Sequence, residues 1–151
     1  MARRAGDRGD AKGERARALG ADEVIDASRE RAHLQVQRLT ARAGADVVFE
    51  HVGPVTWEES LRSAAYGGRI VTCGGTTGAL APTPLPFLFS KRLEIHGVTL
   101  GPRSALAEVL RLASERRLEP VSDRVLPLAE SRRGHELLEA GAVFGKLVLR
   151  V

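Results

Sequence analysis

Three short loops of small or polar residues each follow an apolar stretch of the chain. They are His51–Gly53, Gly74–Gly78 and Thr99–Gly101. Glycine lets a ligand approach the backbone, and threonine supplies a hydroxyl for hydrogen bonding. In a parallel sheet the carboxyl ends of the strands meet at one edge, where ligands bind. A plain turn is the better interpretation of any single loop, but the three together predict a binding site at that edge.

Motifs for several other chemistries are absent from the sequence. Neither G-x-G-x-x-G nor G-x-x-x-x-G-K-[ST], the glycine patterns that grip phosphates, occurs, and there is no G-x-S-x-G nucleophile elbow. The single cysteine, Cys73, excludes an intrachain disulfide and a four-cysteine zinc site. No histidine pair has H-x-x-x-H spacing; the four are His33, His51, His96 and His135. We therefore expect no zinc site within this chain.

Alternating strand and helix patterns position the loops. Short apolar or β-branched runs predict strands at 23–26, 45–50, 69–73, 93–100, 122–128 and 145–151. Helical periodicity predicts helices at 10–19, 32–43, about 57–65, 106–113 and 129–140, with a helical turn at 86–91. Ser28 is the expected N-cap of the second helix, and Thr56 with Glu59 fits a capping box for the third. Such alternation predicts an α/β fold with a parallel sheet and helices on both faces.

Composition limits the class of protein. The chain has 151 residues, 43% of them apolar, which suits a globular domain. No apolar run reaches the length of a membrane span and no secretory signal is present, so we expect no membrane association and a cytoplasmic location. The net charge of +4 is concentrated in residues 1–17. A basic nucleic-acid-binding module is an alternative, but no aromatic residue lies there to stack on bases.

Five collinear stretches resemble one protein family. They are KGERARALGADEVID (12–26), GADVVFEHVG (44–53), TWEESLRSAAYGGRIVTCGGTTG (56–78), LEIHGVTLG (93–101) and FGKLVLRV (144–151). The chain is similar to the C-terminal part of the medium-chain dehydrogenase/reductases, in the group of quinone oxidoreductases and zinc-type alcohol dehydrogenases. The resemblance implies a Rossmann-type cofactor domain combined with a GroES-like catalytic domain.

The resemblance also implies where this chain lies in such an enzyme. Residues 1–120 would be a partial Rossmann NAD(P)-binding domain without its first strand, glycine-rich turn and first helix. Residues 121–151 would be the C-terminal strand–helix–strand return to the catalytic domain. The chain is thus expected to be a fragment whose sheet has an unpaired edge, which invites aggregation.

Candidate cofactor contacts follow from the resemblance by position. Arg8 and Lys12 would pair with the 2′-phosphate of NADP, whereas Asp7 or Asp10 could accept from a ribose hydroxyl and favour NAD; NADP is preferred. The other expected contacts are His51, Val52 and Gly53 on the adenosine side, Cys73, Gly74, Gly75, Thr76, Thr99, Leu100 and Gly101 near the nicotinamide, and Phe144, Gly145 and Lys146 from the C-terminal return.

Some of these residues have plainer interpretations. Cys73 could be a small buried side chain, and His51 could cap the end of a strand. For Trp57, Phe87 and Phe89, packing in the core or an interface is preferred over function.

The expected activity is NAD(P)H-dependent hydride transfer to or from a small carbonyl, enone, quinone or alcohol. No catalytic residue is assigned, and this chain alone is expected to have little or no turnover. The alternative is a non-catalytic truncated remnant or a mis-started gene product. The family resemblance also implies a homodimer formed through the strand at 94–100.

Overall fold

The computed structural model describes residues 4–7 and 10–151, with side chains from residue 11 onward. The strands are β1 (Arg4–Asp7), β2 (Glu23–Asp26), β3 (Ala45–Glu50), β4 (Ala64–Thr72), β5 (Glu94–Gly97), β6 (Ser122–Pro127) and β7 (Lys146–Arg150). The helices are α1 (Asp10–Ala18), α2 (Ala32–Leu39), α3 (Pro54–Ser63), α4 (Leu85–Lys91), α5 (Arg103–Ser114) and α6 (Ser131–Glu139). The alternation of strand and helix is confirmed, and the fold is α/β.

The chain forms two compact units, Met1–Thr99 and Leu100–Val151. In the first unit β1 pairs with β2, and β3, β4 and β5 form a second sheet in that order. In the second unit β6 pairs with β7. Every pairing is parallel, as the crossover connections require. Among the described residues the hydrogen-bonded strands form three sheets. The sequence pattern predicted one parallel sheet for residues 1–120 and a separate strand–helix–strand segment after it, so the division of β1–β5 into two sheets is the difference.

The core of the first unit lies between α3 and the β3–β5 sheet. Trp57, Leu61, Ala64 and Ile70 are buried together, and Leu61 and Ile70 are fully inaccessible to solvent. Trp57 and Leu61 are four residues apart on α3, so they share one helical face. The prediction that Trp57 is a core residue is confirmed. Phe87 packs against the same cluster, but Phe89 is 72% exposed.

The second unit packs α6 against its two strands. A Cβ on Gly134 would lie 3.2 Å from the Leu147 side chain, so glycine lets the helix lie close to β7. The partly buried residues of β7 alternate along the strand, as expected when one face packs on a helix. Residues 122–150 of this unit therefore have the predicted order of strand, helix and strand, and α5 precedes them.

Two predicted helix ends differ from the structure. Helix α2 ends at Leu39 because Thr40 folds the chain back: its hydroxyl donates to the Val36 carbonyl and accepts from the Gly44 N–H. Helix α3 ends at Ser63, and the next residues already belong to β4. The sequence pattern predicts that Gly67 and Gly68 break this helix, but both lie within β4. A Cβ on Gly68 would lie 2.9 Å from the Ala65 carbonyl oxygen, so this close approach requires glycine.

No helix in residues 10–151 is long and apolar enough to cross a membrane.

Candidate functional site

The loops that follow β3 and β4 are hydrogen bonded to each other. The Cys73 N–H donates to the Glu50 carbonyl at 3.2 Å. The Val52 carbonyl accepts from the Thr77 N–H at 2.9 Å and from the Thr76 and Thr77 hydroxyls at 3.2 and 2.8 Å. Because β3 and β4 are parallel neighbours, their carboxyl ends lie at one edge. Two of the three predicted loops therefore form one continuous surface.

Glycine is required where these loops meet. Gly53 has φ of 100°, and a Cβ on it would lie 3.1 Å from the Gly75 Cα. A Cβ on Gly74 would lie 2.8 Å from the His51 carbonyl oxygen. These close contacts are made by one loop with the other, so loop packing already explains the glycines. Approach of a ligand to them stays a prediction.

The buried carboxylate of Glu50 holds the turn after β3. Glu50 is only 4% exposed. Its Oε1 accepts from the backbone N–H groups of Val52 and Gly53 at 2.7 and 3.1 Å. The hydroxyls of Thr56 and Ser60, on α3, donate to the same carboxylate at 2.9 and 2.5 Å. One side chain therefore connects the end of β3, the turn and α3.

Two opposing effects act on the Glu50 pKa. Burial is the largest single influence and would raise it. The hydrogen bonds from Ser60, Gly53, Val52 and Thr56 stabilise the charged form, and together they outweigh burial. The pKa of Glu50 is therefore lowered below its ordinary value, and the group is a carboxylate at neutral pH.

The predicted capping box at Thr56 and Glu59 is wrong. The Thr56 hydroxyl bonds to Glu50, and the Glu59 carboxylate instead reaches α2, where it accepts from the His33 backbone N–H at 3.1 Å. Glu59 thus caps the start of α2, the role predicted for Ser28. Ser28 donates to the Asp26 carboxylate in a local turn. A cap from a neighbouring helix satisfies the first-turn N–H as well as a local one does.

Glu59 also forms a half-buried cluster with two basic side chains. Its Oε2 lies 2.7 Å from His33 Nδ1, and its Oε1 lies 2.6 Å from Arg31 Nη2. Burial would raise the pKa of Glu59, but the hydrogen bonds from His33 and Arg31 outweigh it and lower the pKa. The cluster joins α2 to α3.

Several predicted contacts are exposed at the loop edge. Cys73 is an exposed free thiol, so the interpretation of it as a buried side chain is wrong. His51 and Thr76 are also exposed, and the His51 ring lies 6.3 Å from that of Phe49. Thr99 follows β5, the other neighbour of β4. These residues are available for contact with a ligand.

The remaining predicted contacts lie elsewhere. Lys12 is in the first turn of α1, and Arg8 lies outside the described residues. Five belong to the second unit: Leu100, Gly101, Phe144, Gly145 and Lys146. There the Lys146 N–H donates to the Val121 carbonyl at 2.7 Å, and a Cβ on Gly145 would lie 2.3 Å from the same oxygen. Gly145 is therefore required by local backbone packing.

The sequence patterns alone did not single out Glu50. Its partners come from the turn and from two positions on α3, and the local T-x-x-E pattern suggested a different partner for Thr56. The sequence does contain one indication: a single carboxylate ends an apolar run. A carboxylate buried at that position needs hydrogen-bond donors from the residues around it.

The chain matches the family model described as "Zinc-binding dehydrogenase" over residues 19–149. It belongs to this family.

The relatives are dehydrogenases and oxidoreductases. The chain is 32% identical to an NAD-dependent alcohol dehydrogenase of Sulfolobus acidocaldarius over 134 residues, which is 88% of this chain and 38% of that protein. It is 33% identical to a quinone oxidoreductase of Pseudomonas aeruginosa over 145 residues, covering 89% and 44%. A crystal structure of an NAD-dependent alcohol dehydrogenase matches with a TM-score of 0.87 and 39% identity, covering 98% of this chain and 43% of that one. The chain thus spans about two fifths of the length of these relatives.

The residues present do not fit a metal site. In the described part of the chain, no three histidine, cysteine, aspartate or glutamate side chains come together to hold an ion.

The residues fit a nicotinamide cofactor in part. The loop edge offers exposed hydroxyl, thiol and backbone groups, which suit a ribose or a carboxamide. A pyrophosphate calls for the glycine-rich turn at a helix N-terminus, and G-x-G-x-x-G is absent from the sequence. The loop edge therefore offers groups for the riboses and the amide of such a cofactor, and the sequence lacks the glycine pattern that would bind its pyrophosphate.

Proposed function

We propose that this protein takes part in hydride transfer between NAD(P)H and a small carbonyl, enone, quinone or alcohol. The observation that carries the proposal is the continuous surface at the carboxyl ends of β3 and β4, where His51, Cys73 and Thr76 are exposed beside the Val52 carbonyl. Membership of a dehydrogenase family supports it. The cofactor supplies the hydride chemistry. The loop after β4 would bind and orient its nicotinamide riboside, and His51–Gly53 would lie on its adenosine side.

We prefer NADP as the cofactor. Arg8 and Lys12 are basic residues close together in the sequence around the start of α1, where a phosphate would be attracted both by their charge and by the helix N-terminus. Asp7 and Asp10 support NAD as the second candidate, because a carboxylate accepts from a ribose 2′-hydroxyl.

The proposal assigns different roles to two parts of the chain. Residues 1–120 would bind the cofactor, and residues 121–151 would belong to a catalytic domain. Leu100 and Gly101, together with Phe144–Lys146, are proposed as further cofactor contacts. A homodimer through residues 94–100 is supported by the position of β5 at the edge of its sheet and by its exposed residues.

Binding of reduced nicotinamide mononucleotide to the 151-residue chain tests the loop edge directly. We expect chemical-shift changes in the amide spectrum at Cys73–Thr76, the loop proposed to lie near the nicotinamide. Thr76→Val removes one exposed hydroxyl and should weaken binding roughly fivefold, the equivalent of one neutral hydrogen bond. Ser90→Ala removes an exposed hydroxyl on α4 and is the matched control.

Three further measurements extend this test. Shifts near Lys12 on adding 2′,5′-ADP, and none on adding 5′-AMP, would support NADP; the reverse would support NAD. Shifts confined to other surfaces, or equal weakening by Thr76→Val and Ser90→Ala, would refute the loop site. The 151-residue chain alone should show no turnover of NADPH with quinones or aldehydes.

A further inference from the structure

The β4–α4 loop, residues 73–84, belongs to no helix or strand. Residues 73–80 are exposed, whereas Ala81 and Thr83 are half-buried. The first part of this loop carries proposed nicotinamide contacts. A long loop without regular structure keeps one shape only where contacts outside it fix its backbone, because ordering each residue costs conformational entropy. The contacts that fix this loop therefore decide whether the proposed ligand site is preformed.

The start of α3 holds the first half of the β4–α4 loop. The Thr77 hydroxyl donates to the Val52 carbonyl at 2.8 Å and accepts from the Val55 N–H at 3.4 Å. A Cβ on Gly78 would lie 3.3 Å from Pro54 Cγ, so the loop backbone passes close to the first residue of α3. The first half of the loop thus lies on the N-terminal turn of this helix.

A side-chain hydrogen bond holds the second half of the loop. The Trp57 Nε1–H donates to the Thr83 hydroxyl at 2.9 Å, and that hydroxyl donates to the Ala81 carbonyl at 3.4 Å. Ala81 itself packs against the core cluster that contains Trp57 and Leu61. Trp57 is 8% exposed, so its indole N–H would be left unsatisfied if Thr83 moved away. The free-energy cost of that loss opposes displacement of the second half.

Both halves of the loop are therefore attached to one helix. Val55 and Trp57 lie in the first turn of α3, whose orientation is fixed by the hydrogen bonds from Thr56 and Ser60 to the Glu50 carboxylate. A loop attached at both ends to one rigid element has little freedom left to lose when a ligand binds. Such preorganisation lowers the entropic cost of binding.

We infer that Trp57 and Thr83 are positioning residues for the proposed nicotinamide site. Their hydrogen bond fixes the second half of the β4–α4 loop and thereby keeps Cys73 and Thr76, in the first half, in the arrangement that receives the ligand. Trp57 is buried in the core, so it acts through the loop and not by contact with the ligand. The ligand part of the inference rests on the proposed function, whereas the ordering of the loop does not.

Amide hydrogen exchange of the full chain measures the order of the loop without any ligand. The Thr77 and Gly78 amides are the reporters, because they donate to the Val52 and Gly75 carbonyls at 2.9 and 3.1 Å. Thr83→Val keeps the shape of the side chain but removes the acceptor, and it should speed exchange at both amides roughly fivefold, the equivalent of one neutral hydrogen bond. Thr83→Ser keeps the hydroxyl and should exchange like the parent chain.

The core amides distinguish positioning from a general loss of stability. A variant that is only less stable should exchange faster at Ile70, which is fully buried in β4, because such amides open with the whole unit. Exposed loop amides exchange by local opening, so a general loss of stability should leave Thr77 and Gly78 unchanged.

Trp57→Phe tests the other partner of the hydrogen bond. Phenylalanine keeps an aromatic ring in the core but has no N–H, so it should speed exchange at the two loop amides about as much as Thr83→Val. The double variant should exchange there no faster than either single variant, because both changes remove the same bond. Circular dichroism confirms that each variant is folded.

Binding of reduced nicotinamide mononucleotide then tests the ligand part of the inference. Thr83→Val should weaken binding roughly fivefold, and Thr83→Ser should leave it unchanged. If the parent chain does not bind this nucleotide, the proposed function fails at this loop, and hydrogen exchange still decides whether Trp57 and Thr83 order it.

Four results would overturn the inference. They are unchanged exchange at Thr77 and Gly78 in Thr83→Val, equal acceleration in Thr83→Ser, and additive effects of Trp57→Phe and Thr83→Val, which would mean that the two residues act separately. The fourth is faster loop exchange with undiminished binding of the nucleotide, because the order of the loop would then not serve the ligand.

Discussion

Replacing Glu50 by glutamine tests whether one carboxylate holds the turn that shapes the candidate site. Glutamine keeps the size of the side chain and one acceptor oxygen, so the N–H groups of Val52 and Gly53 can still be satisfied. The charge is lost, and an NH₂ group faces the hydroxyls of Thr56 and Ser60, which must turn to accept from it. Loss of charge-assisted hydrogen bonds predicts a decrease of about 1–2 kcal/mol in the free energy of unfolding.

Replacing Glu50 by alanine should lower the free energy of unfolding more than replacing it by glutamine. Glu50→Ala leaves two backbone N–H groups and two hydroxyls without their shared acceptor, together with a small cavity. We expect a loss of about 3–5 kcal/mol, since each unsatisfied buried donor costs about 1–3 kcal/mol and some reach water after relaxation. The control is Glu58→Gln, which breaks an exposed ion pair with Arg62 and should cost less than about 0.5 kcal/mol.

Urea unfolding followed by Trp57 fluorescence measures these differences. Trp57 is the single tryptophan, is 8% exposed and lies on α3 beside Thr56, so it reports on this unit. If Glu50→Gln is as stable as the parent chain at neutral pH, or if Glu58→Gln costs as much, the assigned role of Glu50 is wrong.

The pH dependence gives an independent check with a definite sign. The pKa of Glu50 is lower in the folded chain than in the unfolded chain, so its carboxylate stabilises the fold at neutral pH. That contribution is lost as the pH falls from the ordinary glutamate pKa through the lower folded value. Glutamine does not titrate, so the stability gap between the parent chain and Glu50→Gln should close across this window. A gap that stays constant to low pH would refute the reasoning.

Three further predictions concern the contacts that support the site. Gly53→Ala places a side chain at a φ of 100° against the neighbouring loop, and urea unfolding should show a loss of about 1–3 kcal/mol in the free energy of unfolding. In the control Gly97→Ala the added methyl group meets open space, and the loss should be less than about 1 kcal/mol. Lys91→Met removes an ammonium that donates to three carbonyls at the end of α3, and thermal unfolding should show a loss of about 1–2 kcal/mol. A double-mutant cycle of His33→Ala and Glu59→Ala should give a coupling energy of about 1 kcal/mol, and zero coupling would contradict the pairing.

The sequence predicted the strands well because their signal is local. The apolar, β-branched runs at 23–26 and 45–50 coincide with β2 and β3, since such residues favour extended backbone. Burial was not predicted as well, because Val47 and Phe49 of β3 are exposed. Helix ends were less predictable. The alanines at 64 and 65 extend the periodicity of α3, and only pairing with β3 turns them into strand. The division of β1–β5 into two sheets depends on which strands are adjacent in space, and the local pattern does not encode this.

The loops of the candidate site were predicted from composition, but the interactions that hold them were not. Glycine and threonine after an apolar run indicate a turn at a strand end, and the structure has such turns at His51 and Cys73. The contacts of Glu50 depend on how α3 lies over β3. Thr56 had two potential partners in the sequence, the nearby Glu59 and the buried Glu50. It bonds to Glu50. Burial decides between the two, because leaving a buried carboxylate unsatisfied costs more free energy than leaving an exposed N–H uncapped.

Polar contacts determine the rotation of α3 about its axis. Thr56 and Ser60 are four residues apart and both donate to Glu50, and Trp57 and Leu61, one position further along, fill the core. A shift by one residue would turn the helix by about 100°. Apolar packing alone could tolerate a partial rotation, since the helix has other small and apolar side chains. The Glu50 carboxylate could not, because it would lose the Thr56 and Ser60 hydroxyls and keep only the two N–H groups of the turn as donors. The charge at the end of β3 therefore specifies how the helix lies, and with it the shape of the loop edge.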